Sequence, residues 1–194
     1  MPTPDHVTTD KKVAVLIADG LEEVEALAVV DILFRAGVRA DLIAVADRLE
    51  VTSSHRITLR CDALVTDVEL SDYDLLFLPG GLPGTTNLQA DPTVIAEVER
   101  RGAAGEPIAA ICAAPSILAA LGLLEGRAAT ANPHYMAAIA EAGADALENA
   151  VVVDGPIITS RGMGTAIELG LTLVGLLLDE AAVEAVKAGI VYLD

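Results

Sequence analysis

Four short runs, Val13 to Ala18, Ala40 to Val45, Asp74 to Leu78 and Ile108 to Ile111, are apolar at nearly every position, and they constrain the fold more than any other feature. A strand with one wet face alternates apolar and polar side chains, so a continuous apolar run reads as a strand covered on both faces. Helical stretches separate the runs. Leu21 to Arg35 is closed by Gly37 and carries Glu22 and Glu23 in its first turn, Asp91-Pro92 supplies a cap and first residue for a helix to Arg101, and Pro115 to Leu121 follows the fourth run. Further on come a short strand over Ala128 to Ala131, a helix near Tyr135 to Ala142, and a hairpin turning at Asp154-Gly155 between Ala150 to Val153 and Pro156 to Thr159. Thr165 to Leu178 reads as the last long helix. Strands that alternate with helices predict an α/β fold with a mostly parallel sheet, and such sheets hold ligands beyond the carboxyl ends of their strands.

The 194 residues are 53% hydrophobic and only 3% aromatic, which fits an aliphatic core in one domain over 11–194, preceded by a polar, flexible tail from Met1 to Asp10. Cys61 and Cys112 are too few for a disulfide scaffold, and Met1 to Asp5 lacks the charged and apolar regions of a signal peptide, so a cytoplasmic location is expected. Leu169 to Leu178 is too short to span a bilayer. A net charge of -17, with lysine only at positions 11, 12 and 187, argues against nucleic acid or an anionic membrane as partner, because phosphate contacts need clustered cations. The same charge fits either a salty cytoplasm or simply an acidic soluble protein.

Several loops fall at the carboxyl edge: Asp19-Gly20, Pro79-Gly80-Gly81, Cys112-Ala113, Asn132-Pro133-His134 and Ser160 to Gly164. The glycines lack the spacing of a dinucleotide fingerprint or a phosphate loop, and no metal-ligand cluster is expected, so neither cofactor nor metal is called for. Cys112 ends the fourth strand, and small residues lead from it into a helix at Pro115. A sharp strand-to-helix turn tolerates only small neighbours and points its central side chain outward, and helix-terminal amides favour a thiolate. Cys112 therefore reads as a nucleophile with a pKa below the ordinary thiol range, the plain alternative being a buried structural thiol. Cys61 has no such surroundings and reads as structural.

Glu22 and Glu25 share one helix face, and one of them could meet Cys112. A carboxyl buried against a thiolate has its pKa raised, stays protonated and hydrogen-bonds the sulfur; the alternative is plain complementation of the helix dipole. Gly81 and Ala113 could offer amides to an oxyanion. His134 is the histidine nearest the expected edge, so a Cys and His pair is open, as is a solvent-facing loop histidine.

Asp19 to Glu25, Leu78-Pro79-Gly80-Gly81, Ala110 to Pro115 and Thr159 to Thr165 together resemble the DJ-one/ThiJ/PfpI superfamily, closest to the branch of the human parkinsonism-associated deglycase and bacterial ThiJ-like proteins. The resemblance implies a flavodoxin-like three-layer sandwich and a homodimer, with Cys112 as the reactive cysteine, Glu25 as its protonated partner, and Gly81 and Ala113 as amide donors. Arg35 and His55 fall where the family's dimer contacts lie, although His55 replaces an arginine. Asn132 stands where that branch has a histidine near the cysteine, so a Cys and His mechanism would need His134. Ala113 follows the cysteine where protease-like members have histidine, so peptidase activity is not expected. Three functions are compatible with this resemblance: a glyoxalase III or deglycase-like enzyme acting on small 2-oxoaldehydes, a redox sensor or stress chaperone working through oxidation of Cys112, or an inert member of the kind associated with thiazole monophosphate biosynthesis.

Overall fold

In the computed structural model, which describes residues 7–192, β1 (Lys12–Ile17) leads through α1 (Glu23–Arg35) to β2 (Arg39–Ala44). A hairpin of β3 (Glu50–Thr52) and β4 (Thr58–Arg60) and the two-residue β5 (Ala63–Leu64) precede β6 (Leu75–Leu78). Helices α2 (Gly84–Ala90) and α3 (Pro92–Ala104) return the chain to β7 (Ile108–Ile111), followed by α4 (Pro115–Ala120), β8 (Ala128–Ala129), α5 (Met136–Glu141) and β9 (Asp145–Ala146). Strands β10 (Val151–Asp154) and β11 (Ile157–Ser160) then form a hairpin before α6 (Ala166–Leu177) and α7 (Glu180–Ile190).

Seven strands make one sheet in the order β10-β11-β7-β6-β1-β2-β5, parallel throughout except for the β10 and β11 pair. The order β2-β1-β6-β7-β11 within it is the flavodoxin-like arrangement. Alternate residues of β1, with Ala18 just after it, feed two separate cores: Val13, Val15 and Ile17 pack with α1, α6 and α7, while Ala14, Leu16 and Ala18 pack with residues of α2, α3, α4 and α5. From Val13 onward the strand is apolar because neither face is wet. Each fully buried aliphatic side chain contributes about 1.5–3 kcal/mol, so a polar residue at any of these six positions would be costly. Gly170 lets α6 approach α1, since a Cβ there would lie 2.9 Å from Ile32 Cβ.

The expected strand at Ile108 to Ile111 is present with those bounds, and α1 begins at Glu23 because Glu22 is still extended. Three expectations need correction. The long helix α6 is not the last, because Asp179 caps α7 by accepting the Ala182 amide. Of Ala128 to Ala131 only the first two residues are strand, and they pair with β9 outside the main sheet. The β10 and β11 hairpin turns through Gly155-Pro156, so its second strand starts at Ile157. Of the expected tail, Met1 to His6 lies outside the described residues, whereas the amides of Thr8 and Thr9 both donate to the Gly37 carbonyl. Among the described residues no helix is long and apolar enough to cross a membrane.

Candidate active site

Strand β7 delivers Cys112 to the carboxyl edge in a left-handed conformation, φ 65°. Such a backbone costs a residue with a Cβ about 1–3 kcal/mol, and three hydrogen bonds hold it: Cys112 N–H donates to the Ser160 carbonyl at 3.0 Å, Asn132 N–H to the Cys112 carbonyl at 2.9 Å, and Ala114 N–H to the Ile111 carbonyl at 3.0 Å. Ala113 and Ala114 are buried, so larger side chains have no room beside the turn. The amides of Ala113 and Gly81 act on the Cys112 sulfur in the direction that favours its thiolate. Gly81 itself is left-handed, and a Cβ on it would meet the Glu22 nitrogen at 2.2 Å.

Glu25, two residues into α1, is 1% exposed and points under the sulfur. Its Oε2 accepts the Gly80 amide at 2.9 Å, and the Cys112 thiol and the Met163 amide favour its charged form. Gly80 makes this approach possible, because a Cβ there would stand 2.6 Å from both Cys112 Cβ and Glu25 Oε2. Burial pushes the Glu25 carboxyl up to about 7, the charge of Glu22 pushes the same way, and the thiol and the two amides pull back. The expectation of a raised carboxyl holds.

The expectation of a low thiol pKa does not hold in that simple form. Burial, and then the charge and hydrogen bond of Glu25, push Cys112 up to about 12 against the pull of the Ala113 and Gly81 amides. Two of those upward pushes belong to ionised Glu25. The groups therefore titrate as a pair: a proton on Glu25 turns the carboxyl from a repelling anion into a donor, and only then do the two amides favour the thiolate.

Asn132 shares the wall of this site. A methyl group on Gly162 would lie 3.7 Å from Asn132 Nδ2 and from Glu25 Oε1 and 3.9 Å from Cys112 Sγ, so all three side chains converge on that glycine. His134 is exposed and joins the site through its backbone amide, which donates to Asn132 Oδ1 at 3.1 Å. His55, between β3 and β4, sets Nδ1 3.1 Å from Glu23 Oε2 and 3.8 Å from Glu22 Oε1. Glu23 therefore does more than complement the helix dipole. The hydrogen bond that His55 donates to Glu23 raises the His55 pKa. These three side chains are also a group whose potential ligand atoms all lie within 4.8 Å of one another, a cluster that the 32-residue separation in sequence hides; an ion pair accounts for its geometry. Arg35 pairs with Asp31 one turn back on α1 at 2.6 Å.

The sequence reading missed Gly80 as a contact of the reactive pair. The glycine doublet was the available signal, but Gly80 acts through a backbone amide that any residue except proline carries.

Residues 11–176 match the family described as DJ-1/PfpI. The chain is 40% identical over 165 residues to Protein DJ-1 homolog A of Arabidopsis thaliana, covering 84% of this chain and 42% of that protein, so it spans about two fifths of that relative's length. Parkinson disease protein 7 homolog of Danio rerio is 33% identical over 195 residues, 95% of this chain and 98% of that one. A Thermococcus kodakarensis protein named as a deglycase is 32% identical over 154 residues, 79% of this chain and 91% of that one. Among solved structures, oxidized Toxoplasma gondii DJ-1 superposes with a TM-score of 0.89 at 34% identity, covering 95% of this chain and 100% of the other. Drosophila melanogaster DJ-1beta gives 0.91 at 30% identity, with 96% and 100% covered.

Proposed function

The chain belongs to the DJ-1/PfpI family, and on that premise we propose that it is a cysteine-dependent, cofactor-independent enzyme acting on small 2-oxoaldehydes. The observation that carries this reading is the pairing of a strained, half-buried Cys112 with a carboxyl poised near neutrality. A relative named as a deglycase supports it. With the shared proton on Glu25, the Cys112 sulfur bonds to the aldehyde carbon of methylglyoxal, and the amides of Gly81 and Ala113 steady the oxygen that gains charge. Glu25 gives its proton to that oxygen, which makes the hemithioacetal, then takes the proton from the carbon bearing sulfur and returns it to the neighbouring carbon while the hydroxyl proton passes to the neighbouring oxygen, so the first carbon is oxidised as the second is reduced. A thioester results, and water hydrolyses it to lactate and frees the thiol. No external oxidant is consumed. Asn132 holds no exchangeable acid, so the reading places the proton transfers on Glu25. Ala113 beside the cysteine keeps peptidase chemistry out of the proposal.

The proposal extends to a homodimer in the cytoplasm. Val24 and Leu27, on the same helix α1 as Arg35, Ile57, two residues from His55, and Ile167 on α6 are exposed apolar side chains that a second copy would cover.

A second reading, oxidation of Cys112 to a sulfinic acid without turnover, draws on the same partly exposed sulfur and on a relative solved in oxidized form. One experiment separates the two. Lactate formation from methylglyoxal, without glutathione, metal or nucleotide, is expected from the wild type and not from Cys112→Ser. Unchanged formation in the variant sinks the enzyme reading, and no formation by wild type, with ready sulfinic acid after mild peroxide, transfers the role to the sensor.

A further inference from the structure

Asn132 reaches the reactive pair from a loop whose backbone is tied at both ends. Its amide donates to the Cys112 carbonyl at 2.9 Å, and its carbonyl accepts at 2.7 Å the amide of Tyr135, the residue that opens α5. The side chain is held as well. Asn132 Oδ1 accepts the His134 amide at 3.1 Å, and because an N–H can donate only to the oxygen of a carboxamide, this contact fixes which end of the side chain faces the sulfur. That end is the nitrogen. Nδ2 lies 3.7 Å from the point where Gly162 would carry a Cβ, with Glu25 Oε1 at 3.7 Å and Cys112 Sγ at 3.9 Å from the same point. Gly162 has no side chain, so the space over its α-carbon opens onto all three atoms. Among the described residues Nδ2 donates to no protein group.

We propose that Asn132 is a specificity-determining residue of this site: its Nδ2 is a fixed donor for a second carbonyl oxygen, so Cys112 favours reactants that carry an acceptor oxygen on the carbon next to the one that sulfur attacks. The proposal rests on the reading of the protein as an enzyme for 2-oxoaldehydes and names the contact that tells such a compound from a simple aldehyde.

The roles divide by hydrogen-bond chemistry. When sulfur bonds to the aldehyde carbon, the oxygen on that carbon gains charge and belongs to the Gly81 and Ala113 amides. The neighbouring ketone oxygen is also an acceptor, and leaving it unpaired as water is displaced costs free energy. A thiolate offers it no proton, and the proton of Glu25 goes to the aldehyde oxygen. Asn132 Nδ2 has the donor to spare. A carboxamide neither ionises nor changes tautomer, so it presents the same N–H at every pH, which a histidine in its place would not.

Two alkylating agents of the same shape test this. Bromoacetone carries a carbonyl oxygen where methallyl bromide carries a methylene group. With each, the Cys112 sulfur bonds to the carbon bearing bromine and bromide leaves with the bonding pair, so the bromoacetone adduct holds a ketone next to the carbon on sulfur, as the methylglyoxal adduct does. Rates at Cys112 are followed by mass spectrometry at pH 8, where an aspartate is ionised. Both agents draw on the same thiolate, so their rate ratio is independent of how Cys112 and Glu25 divide their proton. Asn132→Asp keeps an oxygen for the His134 amide, and hence the loop, but has no donor; Asn132→Ala loses both ends. The ratio of bromoacetone to methallyl bromide is expected to fall by roughly three- to tenfold in both variants, the worth of one neutral hydrogen bond. A ratio unchanged in Asn132→Asp overturns the proposal, and a fall in Asn132→Ala alone does the same by assigning the effect to the loop. If Asn132→Ala does not fold, Asn132→Asp decides. A wild-type ratio at Cys112 no greater than that of N-acetylcysteine also overturns it. Lactate formation is scored apart: its absence in wild type sinks the enzyme reading while the ratio still judges the donor, and an unchanged ratio leaves the enzyme reading standing.

Discussion

Replacing Glu25 by glutamine should stabilise the folded protein, and only where the pH has removed the proton that burial demands. The carboxyl has an ordinary value of 4.5 and is pushed up to about 7 by the fold. For an acid raised in this way the stability is fully present below pH 4.5, where folded and unfolded chains are both protonated, and is lost as the pH climbs through about 7. One pH unit of displacement corresponds to about 1.4 kcal/mol, so ionised Glu25 costs the folded state about 3 kcal/mol at pH 8. Glutamine has nearly the same shape, keeps an oxygen for the Gly80 amide and carries no charge to desolvate. For a chain of this size 1 kcal/mol moves Tm by about 2–4 °C, so Glu25→Gln should melt roughly 6–12 °C above wild type at pH 8 and close to it at pH 4.5. Calorimetry at the two pH values, in buffers of equal ionic strength, reads this directly. The same variant should lose lactate formation, because glutamine cannot carry a proton. A variant no more stable than wild type at pH 8, or equally more stable at both values, would refute the argument that the carboxyl is held at a desolvation cost.

Gly80→Ala places a methyl group 2.6 Å from Cys112 Cβ and from Glu25 Oε2, and 2.9 Å from the Ile111 carbonyl. Two of these neighbours are rigid, so the pair must separate; turnover should fall by about 100-fold, the cost of a displacement near 1 Å, and stability by about 1–3 kcal/mol. Unchanged kinetics would show that the contact is not needed. The net charge of -17 repels itself at low salt and is screened within a Debye length of about 8 Å at physiological ionic strength, so Tm should climb steadily into molar potassium chloride. A flat curve removes the reading of the surface as adapted to a salty interior.

The strands were legible because burial on both faces leaves an unbroken apolar run, as in Ile108 to Ile111. Helix α2 was not, since Gly84-Thr85-Thr86-Asn87 contains weak helix formers that packing against α3 and β1 holds in place. Helix α7 carried its signal openly in Asp179 and the alanine-rich run after it. At the site, spacing put Glu22 and Glu25 on one face but could not say which was buried: α1 turns Glu25 inward, while Glu22 stays near His55. The elbow was readable from the small residues around Cys112. The direction of its pKa was not, because a helix-terminus argument omits the charge that a second, buried group sets against the sulfur.

Gly80 is held from both sides by the first turn of α1: its carbonyl accepts the Glu22 amide at 2.9 Å and its own amide donates to Glu25, while the next carbonyl, that of Gly81, accepts the Thr85 amide at 2.9 Å. A segment bound at three successive points cannot swing aside as a lid. This wall of the site is a fixed template, so a reactant is admitted by its size and not by a closing motion. Turnover should then respond to reactant bulk far more than to solvent viscosity, as chemistry in an open, rigid notch does.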